Sequence, residues 1–219
     1  MKNRPVCLAI TLALLACLVF QSTAQAAKGT PDTPDFGFGA QIHLDGKYGG
    51  QALQTAGQLK LDWVQIEFNW AARWPEAGRS PSLQDLDQAM CEAANENLAV
   101  LISLTNAPSW ASSPRGPNPS LTAQLLVALA KRYPTSLKGF ELFPSANTVL
   151  GWGALPNPGA YLNLYQAVSK ELLSNGLAIQ LAAAGLTSLA PNPMPGDVDD
   201  LVYLSGLYAA GGAAQISIL

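Results

Sequence analysis

Along residues 36–219, short apolar runs alternate with longer stretches in which apolar residues recur every three or four positions. The short runs predict strands: Phe36 to His43, Trp63 to Phe68, Leu98 to Leu104, Gly139 to Phe143, Ala178 to Ala184 and Ala213 to Leu219. Leu98 to Leu104 (LAVLISL) is apolar throughout, as a parallel strand covered on both faces should be. The longer stretches predict helices over Tyr48 to Leu59, Leu83 to Asn97, Leu121 to Tyr133, Gly159 to Ser174 and Asp199 to Ala210. In the second of these, Leu83, Leu86, Met90 and Ala94 share one face. Strand and helix alternating at this pace indicate an α/β fold built as a right-handed parallel series.

The first strand contains Gly37 and Gly39, which invite comparison with a phosphate-binding loop. No third glycine follows at the required spacing and no helix opens there, so both are read as sites of close packing in a strand. The chain begins differently. Lys2 and Arg4 precede an apolar run from Pro5 to Phe20 and an Ala24-Gln25-Ala26 end. That layout predicts a signal peptide over 1–26, cut after Ala26, and a secreted or periplasmic product. The run falls short of the roughly 20 residues a membrane span needs, so no stable membrane association is expected after cleavage. Residues 27–35 read as a linker.

Charge and cysteine content narrow the chemistry. Twelve basic against fifteen acidic residues, with no basic run, exclude a nucleic-acid partner. Cys7 and Cys17 fall in the signal peptide, leaving Cys91, which reads as a small core residue of a helix. With one histidine, His43, metal sites built from several His or Cys are excluded by count. No G-x-S-x-G elbow accompanies it, and no cofactor is implied.

The most informative stretch is Lys138 to Trp152, KGFELFPSANTVLGW, an apolar strand that breaks at Pro144 into a polar loop. Leu155 to Tyr161 (LPNPGAY) then turns the chain into a helix. These residues resemble the retaining (β/α)8 glycoside hydrolases of the xylosidase and endoglucanase type. In that family the fourth strand reads approximately Y-E-I-W-N-E-P-N, followed by W-G and a P-D-P-x-x-Y helix start. Phe140, Glu141, Leu142, Phe143, Asn147, Gly151, Trp152, Pro156, Pro158 and Tyr161 follow this pattern. Asn106, Pro108 and Trp110 (N-A-P-x-W) resemble the family's loop after the third strand.

The resemblance implies a (β/α)8 barrel over residues 36–219, incomplete at about six strands, with unpaired edges at the first and the sixth. It covers about three-quarters of the family's barrel. It also implies two carboxyl groups about 5 Å apart, one after the fourth strand and one ending the seventh. Pro144 and Ser145 stand where the family has Asn and the acid/base Glu, and the nucleophile would lie beyond Leu219. A serine hydroxyl is far too weak an acid to protonate a leaving group near neutral pH.

Other carboxyls bear on this. Glu141 has the strand parity of Ser145 but lies about 13 Å deeper, an interior position where a polar partner is expected. Glu67 shares a face with Gln65 and Asn69 near a strand end. It is either a substitute carboxyl or the salt-bridge partner of Arg73. His43 is either a contact to sugar hydroxyls or a hydrogen-bonded rim residue. Trp70, Trp74, Trp110 and Trp152 fall in loops on one face of the architecture, beside Asn69, Asn106 and Asn147. They are either core covers or a platform for pyranose rings. The expected protein is therefore a glycoside hydrolase relative, impaired or inactive as written, whose partner is an oligo- or polysaccharide. A second chain that covers the open sheet edges is a further expected partner. A non-catalytic carbohydrate-binding protein and a non-functional gene fragment are the alternatives.

Overall fold

The computed structural model describes residues 37–44, 49–189 and 193–216. The expected signal peptide and linker, with Cys7 and Cys17, lie outside the described residues. Five strands form one parallel sheet: β1 (Gly39–Ile42), β2 (Trp63–Asn69), β3 (Ala99–Thr105), β4 (Leu137–Leu142) and β5 (Gln180–Ala182). Five helices alternate with them: α1 (Gly49–Gln58), α2 (Gln84–Asn95), α3 (Pro119–Arg132), α4 (Pro158–Ser174) and α5 (Asp200–Ala209).

The strands lie side by side in chain order, β1-β2-β3-β4-β5. Right-handed crossovers that always step the same way place every helix on one side of the sheet. No reversal of strand order occurs, which separates this sheet from a doubly wound one and gives it the sequence of a barrel wall. The side chains follow that division. Ile42, Ile66, Ile102, Phe140 and Leu181 form one register row across all five strands, and each is buried beneath the helices. The alternate residues face what would be the barrel interior. Glu67, Ser103, Glu141 and Ala182 form one row there, and Gln41, Gln65, Leu101, Gly139 and Gln180 form the row below.

Gly39 has the close-packing role that its strand context predicts. A Cβ there would lie 2.1 Å from the Trp63 indole, which crosses β1 at the bottom of the inner face. A larger residue would lift that ring off the sheet.

Element ends differ from the periodicity where capping decides them. α3 begins at Pro119 rather than Leu121, because the Asn118 side chain accepts from Ser120 N and Leu121 N and Pro119 needs no N–H partner. Asn157 and Pro158 start α4 in the same way. β5 is shorter than Ala178 to Ala184 because its end is satisfied by tyrosines. Ala184 N donates to Tyr161 Oη at 2.6 Å, and Tyr165 Oη donates to Leu181 O at 2.9 Å. Tyr161 Oη also donates to Leu142 O at 3.1 Å, so α4 is pinned to both strands.

The sixth strand is not formed among the described residues. Gly212–Ala214 is a turn of 3-10 helix, entered through Gly211 at φ +97° and closed by Gln215 N and Ile216 N donating to Gly212 O. Residues 217–219 lie outside the described residues. Cys91 is exposed rather than a core residue, since the buried face of α2 is Leu86, Ala89, Met90 and Ala93.

Candidate functional site

The carboxyl ends of β2 to β5 and the loops after them meet on one face of the sheet. Three residues with side chains adopt positive φ there: Asn106 (+50°), Phe143 (+50°) and Ser145 (+63°). The two other such residues, Lys60 and Asn97, lie just beyond helices, where left-handed backbone is ordinary. Phe143 is held in this conformation from two sides. Its N–H donates to Leu104 O at 2.9 Å, and its buried ring meets Trp152 edge-on at 5.9 Å. Each such residue costs about 1–2 kcal/mol, so the surroundings must over-determine the loop.

They do so through a hydrogen-bonded lattice joining three segments. Ser145 N donates to Gly185 O at 2.7 Å, and the Ser145 and Thr187 hydroxyls are 2.5 Å apart. Asn147 is fully buried: its Nδ2 donates to Thr187 O and Val198 O, both at 2.8 Å, and its Oδ1 accepts from Thr187 N at 2.9 Å. The Asp197 carboxylate accepts from Val149 N at 2.8 Å and Met194 N at 2.9 Å. Gly151 completes the fit, since a Cβ there would sit 2.3 Å from the Ser145 carbonyl oxygen.

Beneath this loop, the Glu141 carboxylate accepts from Gln65 Nε2 (2.7 Å), Ser103 Oγ (2.5 Å) and Gly185 N (3.1 Å). The polar partner expected for an interior Glu is thus a set of three. Because Gly185 in turn receives the Ser145 N–H, the carboxylate reaches Ser145 through one residue. Glu67 does not pair with Arg73. Arg73 forms a two-pronged bond with Asp85 in the first turn of α2, at 2.6 and 2.7 Å, and Glu67 Oε1 accepts from Thr105 Oγ1 at 2.8 Å. The Arg73 guanidinium holds the Asp85 carboxyl below the usual carboxylate range.

Two cavities open on this face. One, of about 440 Å³, is lined by Glu67, Thr105, Asn106, Ser145, Thr187 and Asp197, with Leu150 and Met194 on its outer wall. The other, of about 330 Å³, is lined by His43, Glu67, Asn69, Arg73, Ser82 and Asp85. Of the expected residues, His43, Glu67, Asn69, Asn106 and Ser145 are brought together here. His43 and Asn106 are exposed, and Asn69 also caps the helical turn Trp70–Arg73 through Ala72 N.

Three of the expected contacts offer no surface to a ligand. Trp70 and Trp152 are 0% and 1% exposed, and Asn147 spends its whole amide inside the lattice. The loops after the strands fold their tryptophans inward, so Trp152 packs between Phe143 and Tyr161 and donates to Arg115 O. Trp110 is half-buried, edge-on to Trp70 and Trp74, with its N–H on Trp74 O. Thr105, Thr187 and Asp197 were not anticipated. Thr105 was within reach of the parity that placed Glu67 and Asn69 on the inner face, whereas Thr187 and Asp197 come from a stretch without periodicity. Among the described residues, no group of three or more His, Cys, Asp or Glu could hold a metal ion.

The cleft is a polar surface of hydroxyls, amides and carboxylates at the end of a parallel sheet. Of its acidic side chains, Asp197 has both oxygens engaged by backbone N–H groups, Asp85 has both engaged by Arg73, and Glu67 Oε2 has no hydrogen-bond partner among the described residues.

No protein-family model matches the chain, and a search of curated proteins finds no match. Solved structures do. A family 39 glycoside hydrolase from Bacteroides cellulosilyticus WH2 superposes with a TM-score of 0.53 at 17% identity, over 67% of this chain and 31% of that one. A GH30 endoxylanase from Clostridium papyrosolvens C71 gives 0.53 at 14% identity, over 78% and 47%. A GH5_18 variant from Bifidobacterium longum subsp. longum in complex with Manβ1-4GlcNAc gives 0.50 at 12% identity, over 68% and 43%. The chain thus spans less than half of the length of each of these three structures. With five parallel strands in unbroken order and helices on one side, the described residues have a (β/α)8 glycoside hydrolase-like fold and form part of its barrel.

Proposed function

We propose that this is an exported glycan-binding relative of the glycoside hydrolases that does not cleave its ligand by the two-carboxylate retaining route. The observation that carries the proposal is the state of Ser145. It stands where the resemblance puts the proton donor, at the floor of the polar cleft, and its hydroxyl faces Thr187. Leaving-group protonation needs a group that titrates near the working pH, which two adjoining alcohols do not supply. Glu67 lies in the same cleft and can accept hydrogen bonds from sugar hydroxyls. A disaccharide bound by one protein of this fold is in keeping with such a ligand.

Export follows from the amino-terminal pattern, with cleavage after Ala26, and amino-terminal sequencing of the secreted product checks it. Among the described residues no further strand pairs with β1 or β5, and a second chain that covers those edges is tested by sedimentation velocity through the appearance of a complex larger than the monomer. For the cleft, calorimetric titration with xylo- and cello-oligosaccharides should give binding. Aryl glycosides should release no chromophore above the blank, and Ser145→Glu should not create turnover. Release by the unmodified chain would overturn the proposed loss of cleavage, and the absence of binding to any glycan would overturn the ligand class.

A further inference from the structure

At the amino ends of the strands, the far end of the inner face from the cleft, lies a groove of about 280 Å³ lined by Trp63, Ala99, Leu101 and Gly139. Trp63, Ala99 and Leu101 are half-buried, so each keeps apolar surface turned to the open face. A Cβ on Gly139 would lie 2.8 Å from Leu101 Cδ1, so the bare glycine is what lets Leu101 lean across β4. The groove shares no lining residue with the two cavities of the cleft. Its volume is at the small end for ligand cavities, too little for a folded partner element.

The charge of the groove is one-sided. Val100 pairs with Leu137 and Leu101 with Gly139, so Lys138 is the extra residue of a bulge and comes to line the groove instead of following strand alternation. Gln180, opposite Gly139 on β5, lines it beside Lys138. Both side chains are exposed, and neither has an ion pair or hydrogen bond among the described residues. None of the described lining residues is acidic. An ammonium and an amide without partners, set beside apolar surface, select an anion that carries an apolar body.

We propose that this groove binds a straight-chain monocarboxylate, with its alkyl chain across Ala99, Leu101 and Gly139 against Trp63 and its carboxylate on Lys138 and Gln180. Trp63 and Lys138 stand two strands apart, roughly 10 Å, the length of an alkyl chain of about eight carbons. Because the groove and the cleft have separate walls, this ligand and a glycan bind independently, and neither result depends on the other.

The test is titration of the isotope-labelled mature chain with butanoate, hexanoate and octanoate, read from the chemical shift of the Trp63 indole N–H. Affinity should rise about two- to fourfold for each added methylene. Lys138→Glu, at an exposed position, should weaken octanoate by about fivefold or more while leaving octanol, which has the chain without the charge, unaffected. Ala182→Phe fills the groove from β5 and should remove binding of both. Melting curves confirm the fold of each variant, and if the β5 substitution unfolds the protein, Lys138→Glu decides alone. No shift of the Trp63 indole with octanoate would overturn the proposal, as would equal affinity along the series or octanoate binding indifferent to Lys138→Glu. So would a dimer in sedimentation velocity that Lys138→Glu dissociates, since a second copy would then occupy the groove.

Discussion

Asn147→Ala is the sharpest test of how the loop after β4 is held. The side chain is fully buried and makes three hydrogen bonds, two from Nδ2 to the carbonyls of Thr187 and Val198 and one from Thr187 N to Oδ1. Truncation deletes all three and leaves two partly buried carbonyls and one partly buried N–H without these partners. At roughly 1 kcal/mol for each bond, the loss is about 3 kcal/mol, and more if water cannot enter to replace the amide. For a domain of this size that corresponds to a fall in Tm of about 6–12 °C. Asn147→Asp supplies the control: it keeps an acceptor for Thr187 N but turns a carboxylate oxygen toward two carbonyls. It should therefore destabilise at neutral pH at least as much as the alanine. Thermal melts and urea denaturation of the mature chain measure both. A Tm within about 2 °C of the unmodified protein for either variant would show that the three segments are not held together by this amide.

Two further outcomes follow from the same geometry. Asp85, with its carboxyl held below the usual range by Arg73, has a folded pKa beneath its unfolded value near 4, so the pair contributes stability above that value and loses it as pH falls through the folded one. Asp85→Asn should therefore be less stable than the parent by a constant margin above about pH 5, with the margin narrowing as the pH falls below about 4; a margin that did not narrow at all on acidification would refute the ion pair. Glu141→Ala removes the acceptor for Gln65, Ser103 and Gly185 N, so amide exchange at Gly185 should accelerate by about tenfold or more, with Ser145 following, and unchanged exchange at both would sever the proposed link between them.

Strand and helix order was legible because burial imposes a period. Val64, Ile66 and Phe68 are buried, and Trp63, Gln65, Glu67 and Asn69 alternate with them, so the strand's two faces could be assigned from residue type alone. The same parity put Glu67 and Asn69 in the cleft. It says nothing about which side chains meet across elements, and there the reading failed. Arg73 lies six residues from Glu67 and looked like its partner, yet α2 returns across the end of β2 and presents Asp85 to it in two-pronged geometry. The tryptophans failed for a related reason. A loop at the carboxyl end of a parallel strand places its backbone on the functional face, but its direction is set by backbone constraints with no periodic signature. At Phe143 and Ser145 the chain takes positive φ, and the turn this creates carries Trp152 beneath the face rather than onto it. The substitution at Ser145 was visible as a departure from a pattern; its accommodation was not. The Ser145 hydroxyl has a partner in Thr187, its N–H has Gly185 O, and its carbonyl accepts from both the N–H and the hydroxyl of Thr148. A loop merely stripped of a carboxyl would leave donors around the vacated position unmatched. Here the polar groups of Ser145 are matched within the lattice, so the alcohol is an integral part of the loop, and restoring a carboxyl there would have to displace Thr187 before it could meet a ligand.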